Sequence, residues 1–207
     1  MSDAEMIELE TPKGLARVHL HAAANPRAVL ALGHGAGGGV AAPDLQTATR
    51  VALSRDISVA LVEQPYRVAG RRSTPQPPIL DAAWIAVVEQ LRAGPLKGLP
   101  LISGGRSSGA RVACRTAAVT GAIGVLCLAF PLQPAARKSG TQAPSRLPEL
   151  EAVTVSMLIV QGEGDQFGMP PDGPQREVVR VKGNHSLRSD QQAVAAAISG
   201  WLAAIAP

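Results

Sequence analysis

Three groups suited to nucleophilic chemistry stand far apart in the chain, each just beyond an apolar run. Ser107 lies in Gly105-Arg106-Ser107-Ser108-Gly109, a G-x-S-x-G pattern between an apolar run and a segment, residues 110–119, that reads as a helix. Small residues there permit a sharp strand-to-helix turn, which holds the hydroxyl out at a strand end with a helix N-terminus behind it. Asp165 follows a later run in Gln161-Gly162-Glu163-Gly164-Asp165, and His185 follows the last in Lys182-Gly183-Asn184-His185. A serine hydroxyl is a weak nucleophile until a base takes its proton. The base in turn needs a carboxylate to fix its tautomer and steady its charged form. Ser107, an acid and His185 supply these roles, in that order along the chain. Glu163 is nearer the strand end than Asp165 and is the alternative acid.

The neighbouring segments must bring these groups together. Residues 6–11 and 15–21 alternate about Pro12-Lys13-Gly14 and read as an antiparallel hairpin at a sheet edge. Ala16, Val18 and Leu20 share one face; Arg17, His19 and His21 are expected on the solvent side. Apolar runs at 28–32, 57–62, 99–103, 124–129 and 155–160, with a last strand at 177–181, suit parallel strands buried on both faces. Helical patterns at 43–54, 79–91, 110–119 and 190–206 alternate with them. The whole predicts one α/β domain over residues 1–207: a mainly parallel sheet, helices on both faces, and function at the carboxyl ends of the strands. Residues 65–78 and 131–148 read as irregular, the second as a candidate lid.

The loop Gly33-His34-Gly35-Ala36-Gly37-Gly38-Gly39 follows the first buried strand. Together with the Ser108 N–H it is placed to form an oxyanion hole, with Ala36 as first choice of donor and Gly35 or Gly37 as alternatives. His34 is expected to brace this loop rather than to act as base. Arg67, Arg71 and Arg72 follow the next strand and are candidates to hold an anionic substrate group, against the plainer reading of surface salt bridges. The glycine loop also spells G-x-G-x-x-G, with Glu63 where a ribose-binding acid would sit, so a dinucleotide-binding protein is a competing reading. Against it, a hairpin precedes the loop, and Ser107, Asp165 and His185 are left without a common purpose.

Composition removes other classes. The net charge of +4 comes from basic residues that are mostly scattered, and aromatics make up 2%, so neither a basic track nor stacking platforms for nucleic acid are present. No apolar run approaches the roughly 20 residues of a membrane span. The first residues carry acids and no signal-like apolar stretch, so a cytoplasmic location is expected. Cys114 and Cys127 fit no metal spacing and read as buried thiols in a reducing compartment.

Five segments carry a family resemblance: Gly33-His34-Gly35-Ala36-Gly37-Gly38, Pro65-Tyr66-Arg67-Val68-Ala69-Gly70-Arg71-Arg72, Gly104-Gly105-Arg106-Ser107-Ser108-Gly109, Gln161-Gly162-Glu163-Gly164-Asp165-Gln166-Phe167-Gly168 and Gly183-Asn184-His185-Ser186-Leu187. They resemble an α/β-hydrolase without a cap domain. More closely, they resemble the dienelactone-hydrolase-like group that holds the testis-expressed-protein-30-like proteins and the third regulatory subunit of the nonspecific lethal chromatin complex. The resemblance implies an α/β-hydrolase fold, with Asp165 rather than Glu163 as the acid of a Ser107–Asp165–His185 triad. The activity it implies is that of a carboxylesterase-like serine hydrolase, acting on a small ester, thioester or lactone through an acyl-serine. That chemistry needs no metal or organic cofactor. Two positions depart from the group: Ser108 stands where Met is frequent, and Asn184 where Asp is common. The group also includes members that look non-catalytic, so a hydrolase-fold interaction module is the alternative reading. A homodimer or a protein partner is compatible with either.

Overall fold

The structure, a computed structural model, describes residues 4–134 and 143–206. Two strands open it, β1 (Glu5–Thr11) and β2 (Gly14–His21), joined by the tight turn that Gly14 makes at φ 106°. β3 (Ala28–Gly33), α1 (Pro43–Leu53), β4 (Ile57–Glu63), the single turn α2 (Pro65–Val68) and α3 (Pro77–Ala93) follow. Next come β5 (Leu101–Arg106), α4 (Ser108–Thr120), β6 (Gly124–Leu128) and the short α5 (Leu147–Glu151). β7 (Ser156–Gly162), β8 (Arg176–Val181) and α6 (Gln191–Ile205) close the fold.

One sheet of order β1-β2-β4-β3-β5-β6-β7-β8 results. The first two strands enter antiparallel, and every pairing from β4 to β8 is parallel. Period-two alternation divides β3 between two cores. Val29 and Ala31 face α3 and α4 with Trp84, Leu91 and Val112, whereas Leu30 and Leu32 face α1 and α6 with Leu45, Ile198 and Leu202. Such two-sided burial is why the parallel strands read as unbroken apolar runs.

The hairpin, the five inner strands and the four long helices lie where the sequence places them, with ends shifted by a few residues. Three differences matter. β5 runs on through Gly104 and Gly105 to Arg106, so the strand-to-helix turn is confined to Ser107 itself. The stretch 65–78 is not wholly irregular, because Pro65 and Pro77 each start a helix at a position where a missing N–H costs nothing. His21, expected toward solvent, is 9% exposed, since it shares a sheet face with its cross-strand partner Val59 of β4, which belongs to the core against α1 and α6. The candidate lid lies partly outside the described residues, which leave out 135–142; α5 begins at its far end. Cys114 and Cys127 are buried free thiols, with Sγ atoms 3.5 Å apart. No helix of the described residues is long and apolar enough to cross a membrane.

Candidate active site

Parallel strands place their following loops at one end of the sheet, and β3, β5, β7 and β8 deliver the glycine loop, Ser107, Asp165 and His185 there. Ser107 joins β5 to α4 at φ 52°, ψ −107°, a conformation that strains any residue bearing a Cβ. The Ser107 N–H donates to the carbonyl of Leu128 at 2.9 Å, which holds the residue there. Close backbone approach makes room for the turn. A Cβ on Gly105 would stand 2.6 Å from the Gly33 carbonyl oxygen, and one on Gly109 only 2.3 Å from the same atom. Gly109→Ala should therefore force β3 and α4 apart and lower unfolding stability by about 1–3 kcal/mol, as overpacking does. Urea titration beside wild type measures it, and an unchanged midpoint would contradict the packing.

His185 projects from a turn in which the Leu187 N–H donates to the Asn184 carbonyl at 3.0 Å. The Asn184 side-chain oxygen accepts from the Ser186 N–H and hydroxyl at 3.0 and 2.8 Å, contacts an aspartate would make equally well. Leu187, fully buried among the α1 and α6 side chains, anchors the far end of the turn. His185 Nε2 is 2.9 Å from Ser107 Oγ, and its Nδ1 is 2.8 Å from Asp165 Oδ2. With a carboxylate at Nδ1 the proton belongs on that nitrogen, leaving Nε2 to accept the serine proton. Asp165 Oδ1 accepts the Phe167 N–H at 2.9 Å, and the Phe167 ring meets the imidazole edge-on at 4.6 Å. Of the two candidate acids, Asp165 is buried against His185, while Glu163 points to solvent.

The glycine loop is held from behind. His34, 3% exposed, has Nδ1 2.8 Å from the Gly35 carbonyl oxygen, and its Nε2 accepts the Gln64 N–H at 3.1 Å. Accepting at Nε2 makes His34 a neutral ring that donates from Nδ1. Burial is the main cause holding its pKa below the ordinary value of 6.5. The Gly35–Ala36 peptide is trans, so pinning the Gly35 carbonyl aims the Ala36 N–H the opposite way. The Tyr66 hydroxyl donates to the Ala36 carbonyl at 3.1 Å. Neither the Ala36 nor the Ser108 N–H donates to any described protein group, as expected for Ser108 at the first turn of a helix.

Arg106 is a contributor that the sequence did not single out beyond its place in the motif. Its Nε lies 3.0 Å from Oδ2 of Asp44, close enough for an ion pair although not aligned as a hydrogen bond. Another of its nitrogens donates to the His185 carbonyl at 2.9 Å. Asp44 is fully buried; burial raises its pKa and Arg106 works against that rise. The pair thus ties α1, the serine turn and the histidine turn together.

The other arginines are arranged differently. Arg71 lines a cavity of about 600 Å³ with Lys13, Tyr66, Leu80 and neighbours, none of which is Ser107, Asp165 or His185. Arg67 is half-buried and Arg72 exposed, and neither they nor Arg71 form an ion pair with a described residue. The acid that the dinucleotide reading requires, Glu63, is occupied: His19 and Arg17 lie 3.3 and 3.7 Å from it. Among the described residues no group of three His, Cys, Asp or Glu side chains could hold a metal ion.

Residues 26–194 match the family model for the alpha/beta hydrolase domain. A comparison with curated proteins yields no match. Among solved structures, the chain is similar to a lidless a/b serine hydrolase from Xanthomonas campestris, with TM-score 0.78, 19% identity and coverage of 100% of this chain and 97% of that one. It is similar to a dienelactone hydrolase from Anabaena variabilis, with TM-score 0.77, 14% identity and coverage of 99% and 98%. An alpha-beta serine hydrolase homologue from Coxiella burnetii aligns with TM-score 0.76 and 14% identity over 98% of this chain and 99% of its own. At these identities the likeness is one of fold.

Proposed function

Because the chain belongs to the alpha/beta hydrolase domain family, we propose that it is a serine hydrolase that cleaves a small ester, thioester or lactone through an acyl-serine. The observation that carries this reading is the unbroken contact from Ser107 Oγ to His185 Nε2 at 2.9 Å and from His185 Nδ1 to Asp165 at 2.8 Å. Ser107 Oγ attacks the carbonyl carbon as its proton passes to His185 Nε2. Asp165 steadies the imidazolium, and the Ala36 and Ser108 N–H groups receive the tetrahedral oxyanion. Collapse expels the alcohol or thiol, which takes the proton from His185. Water activated by the same ring then cleaves the acyl-serine. The five sequence segments resemble the dienelactone-hydrolase-like group named above, and small carboxylic esters are the substrates to try first.

A fluorophosphonate probe should label the wild-type protein, and peptide mapping should find the label on Ser107. A label on another residue, or none on active-looking protein, would overturn the reading.

His34 gives a second test. His34→Ala frees the Gly35–Ala36 peptide and should lower kcat by about 10²-fold, approaching the loss of one oxyanion donor, with KM little changed. An unaltered kcat would mean that His34 does not set the direction of the Ala36 N–H. Its pH behaviour has a definite sign. The folded ring refuses a proton that the unfolded chain accepts at about 6.5. Its contribution to stability is therefore complete above that pH and is lost as pH falls below it. Ring-nitrogen NMR at pH 6.5 should show more of the neutral, Nδ1-protonated form than an unperturbed imidazole would hold.

A further inference from the structure

We propose that Gln161 is a positioning residue for this site: its side-chain amide sets the orientation of the Asp165 carboxylate, and through it that of His185. The inference rests on the hydrolase reading above.

Gln161 is the penultimate residue of β7, paired in register with Arg180 of β8 and fully buried. Its Nε2 lies 2.8 Å from Asp165 Oδ2, 2.9 Å from the Gly168 carbonyl oxygen and 3.0 Å from the Phe130 carbonyl oxygen. All three neighbours are acceptors. Exchanging the amide oxygen and nitrogen would set an oxygen against three oxygens, so the surroundings leave one orientation. The two amide hydrogens are shared among the three acceptors. They bind the segment just after β6 and the loop carrying Asp165 and Phe167 to one point on β7.

The other end of the amide shows that this arrangement is not there for burial alone. Gln161 Oε1 is buried and has no partner among the described residues. An apolar side chain between Val160 and Gly162 would have filled the space without leaving an oxygen unpaired. What such a side chain would lack is the N–H aimed at Asp165.

The consequence for the site is geometric. Asp165 Oδ2 receives two donors at 2.8 Å, His185 Nδ1 and Gln161 Nε2, while Oδ1 receives the Phe167 N–H. With donors on both oxygens the carboxylate plane cannot turn. Without Gln161, Oδ2 keeps only the imidazole it is supposed to orient. The carboxylate can then follow the ring instead of holding it. Its charge, no longer shared with the amide, draws the His185 proton more strongly. The charged groups facing the imidazole remain Asp165 at Nδ1 and Arg106 at the backbone carbonyl.

The test uses the full chain and p-nitrophenyl acetate. Gln161→Met, similar in length but without donors, should lower kcat by about 10- to 100-fold with KM within about twofold, and should move the acid limb of the rate profile to higher pH. Gln161→Glu keeps the shape and regains a donor only when protonated. Its deficit should therefore shrink as pH is lowered toward the limb. Wild-type kcat and an unmoved limb in Gln161→Met overturn the proposal. Should that variant not fold, NMR of the wild-type protein decides: the Gln161 side-chain amide signals should shift over the same pH range as the acid limb, and signals that stay still across it overturn the proposal. Absence of Ser107-dependent turnover in the wild type is a different result. It ends the hydrolase reading, and with it the role proposed for Gln161.

Discussion

Ser107→Ala is expected to lose on the order of 10⁶-fold in kcat, together with all fluorophosphonate labelling, while remaining folded. In the proposed reaction every step passes through the oxygen that this substitution deletes, so the only route left would be direct attack by water on a carbonyl held by the proposed oxyanion N–H groups. A second substitution adds a readout that activity alone lacks. Ser107 is held at φ 52°, ψ −107° by its N–H bond to Leu128 and by the glycines packed around it. Alanine inherits that strain; glycine does not. Ser107→Gly should be as inactive as Ser107→Ala yet more stable by about 1 kcal/mol, in urea titrations of the two. Equal stabilities would mean that the turn relaxes when the hydroxyl goes, and the notion of a preset nucleophile would fail with it. Undiminished hydrolysis by Ser107→Ala would end the assignment outright.

The parts of this site that are legible in the sequence share one property: each announces itself locally. Ser107, Asp165 and His185 follow apolar runs directly, and a parallel sheet sends whatever follows its strands to one end. The glycine loop is legible for the same reason, and the β1–β2 alternation correctly places Ala16, Val18 and Leu20 in the core. Groups whose role depends on a distant partner carry no such mark. Arg106 looks like a variable position of the motif until Asp44, on α1, is seen beside it. His34 could be cast as a loop brace from its neighbours, but the Gln64 N–H that makes its ring neutral arrives from the far end of β4. His21 misled because alternation gives a face and says nothing about what that face packs on: its cross-strand partner Val59 belongs to the core against α1 and α6. The single turn α2 escaped because four residues are too few to show a helical period. Gln161 sits inside a motif read for its acids, where a buried amide leaves no pattern at all.

Asp165→Asn tests the other end of the relay and should cost about 10⁴-fold in kcat at neutral pH. The carboxylate has a donor aimed at each oxygen: the Phe167 N–H at Oδ1, and the Gln161 amide with His185 Nδ1 at Oδ2. An asparagine has one oxygen to give. If its oxygen takes the Oδ2 place, its NH₂ faces the Phe167 N–H, donor against donor. If its NH₂ takes that place, it confronts the Gln161 amide and asks His185 Nδ1 to accept. The ring proton then moves to Nε2, where it points at Ser107 Oγ and blocks the base. In both arrangements one N–H is left facing another, so stability should also fall, by about 1–3 kcal/mol. Glu163→Gln provides the contrast. Glu163 is nearer the end of β7 but faces solvent, and its substitution should leave kcat within about twofold of wild type. Both substitutions remove one negative charge from the same short loop, so a general electrostatic effect would weaken them alike. A loss confined to Asp165→Asn isolates the contact with His185, and equal losses in the two variants would dissolve it.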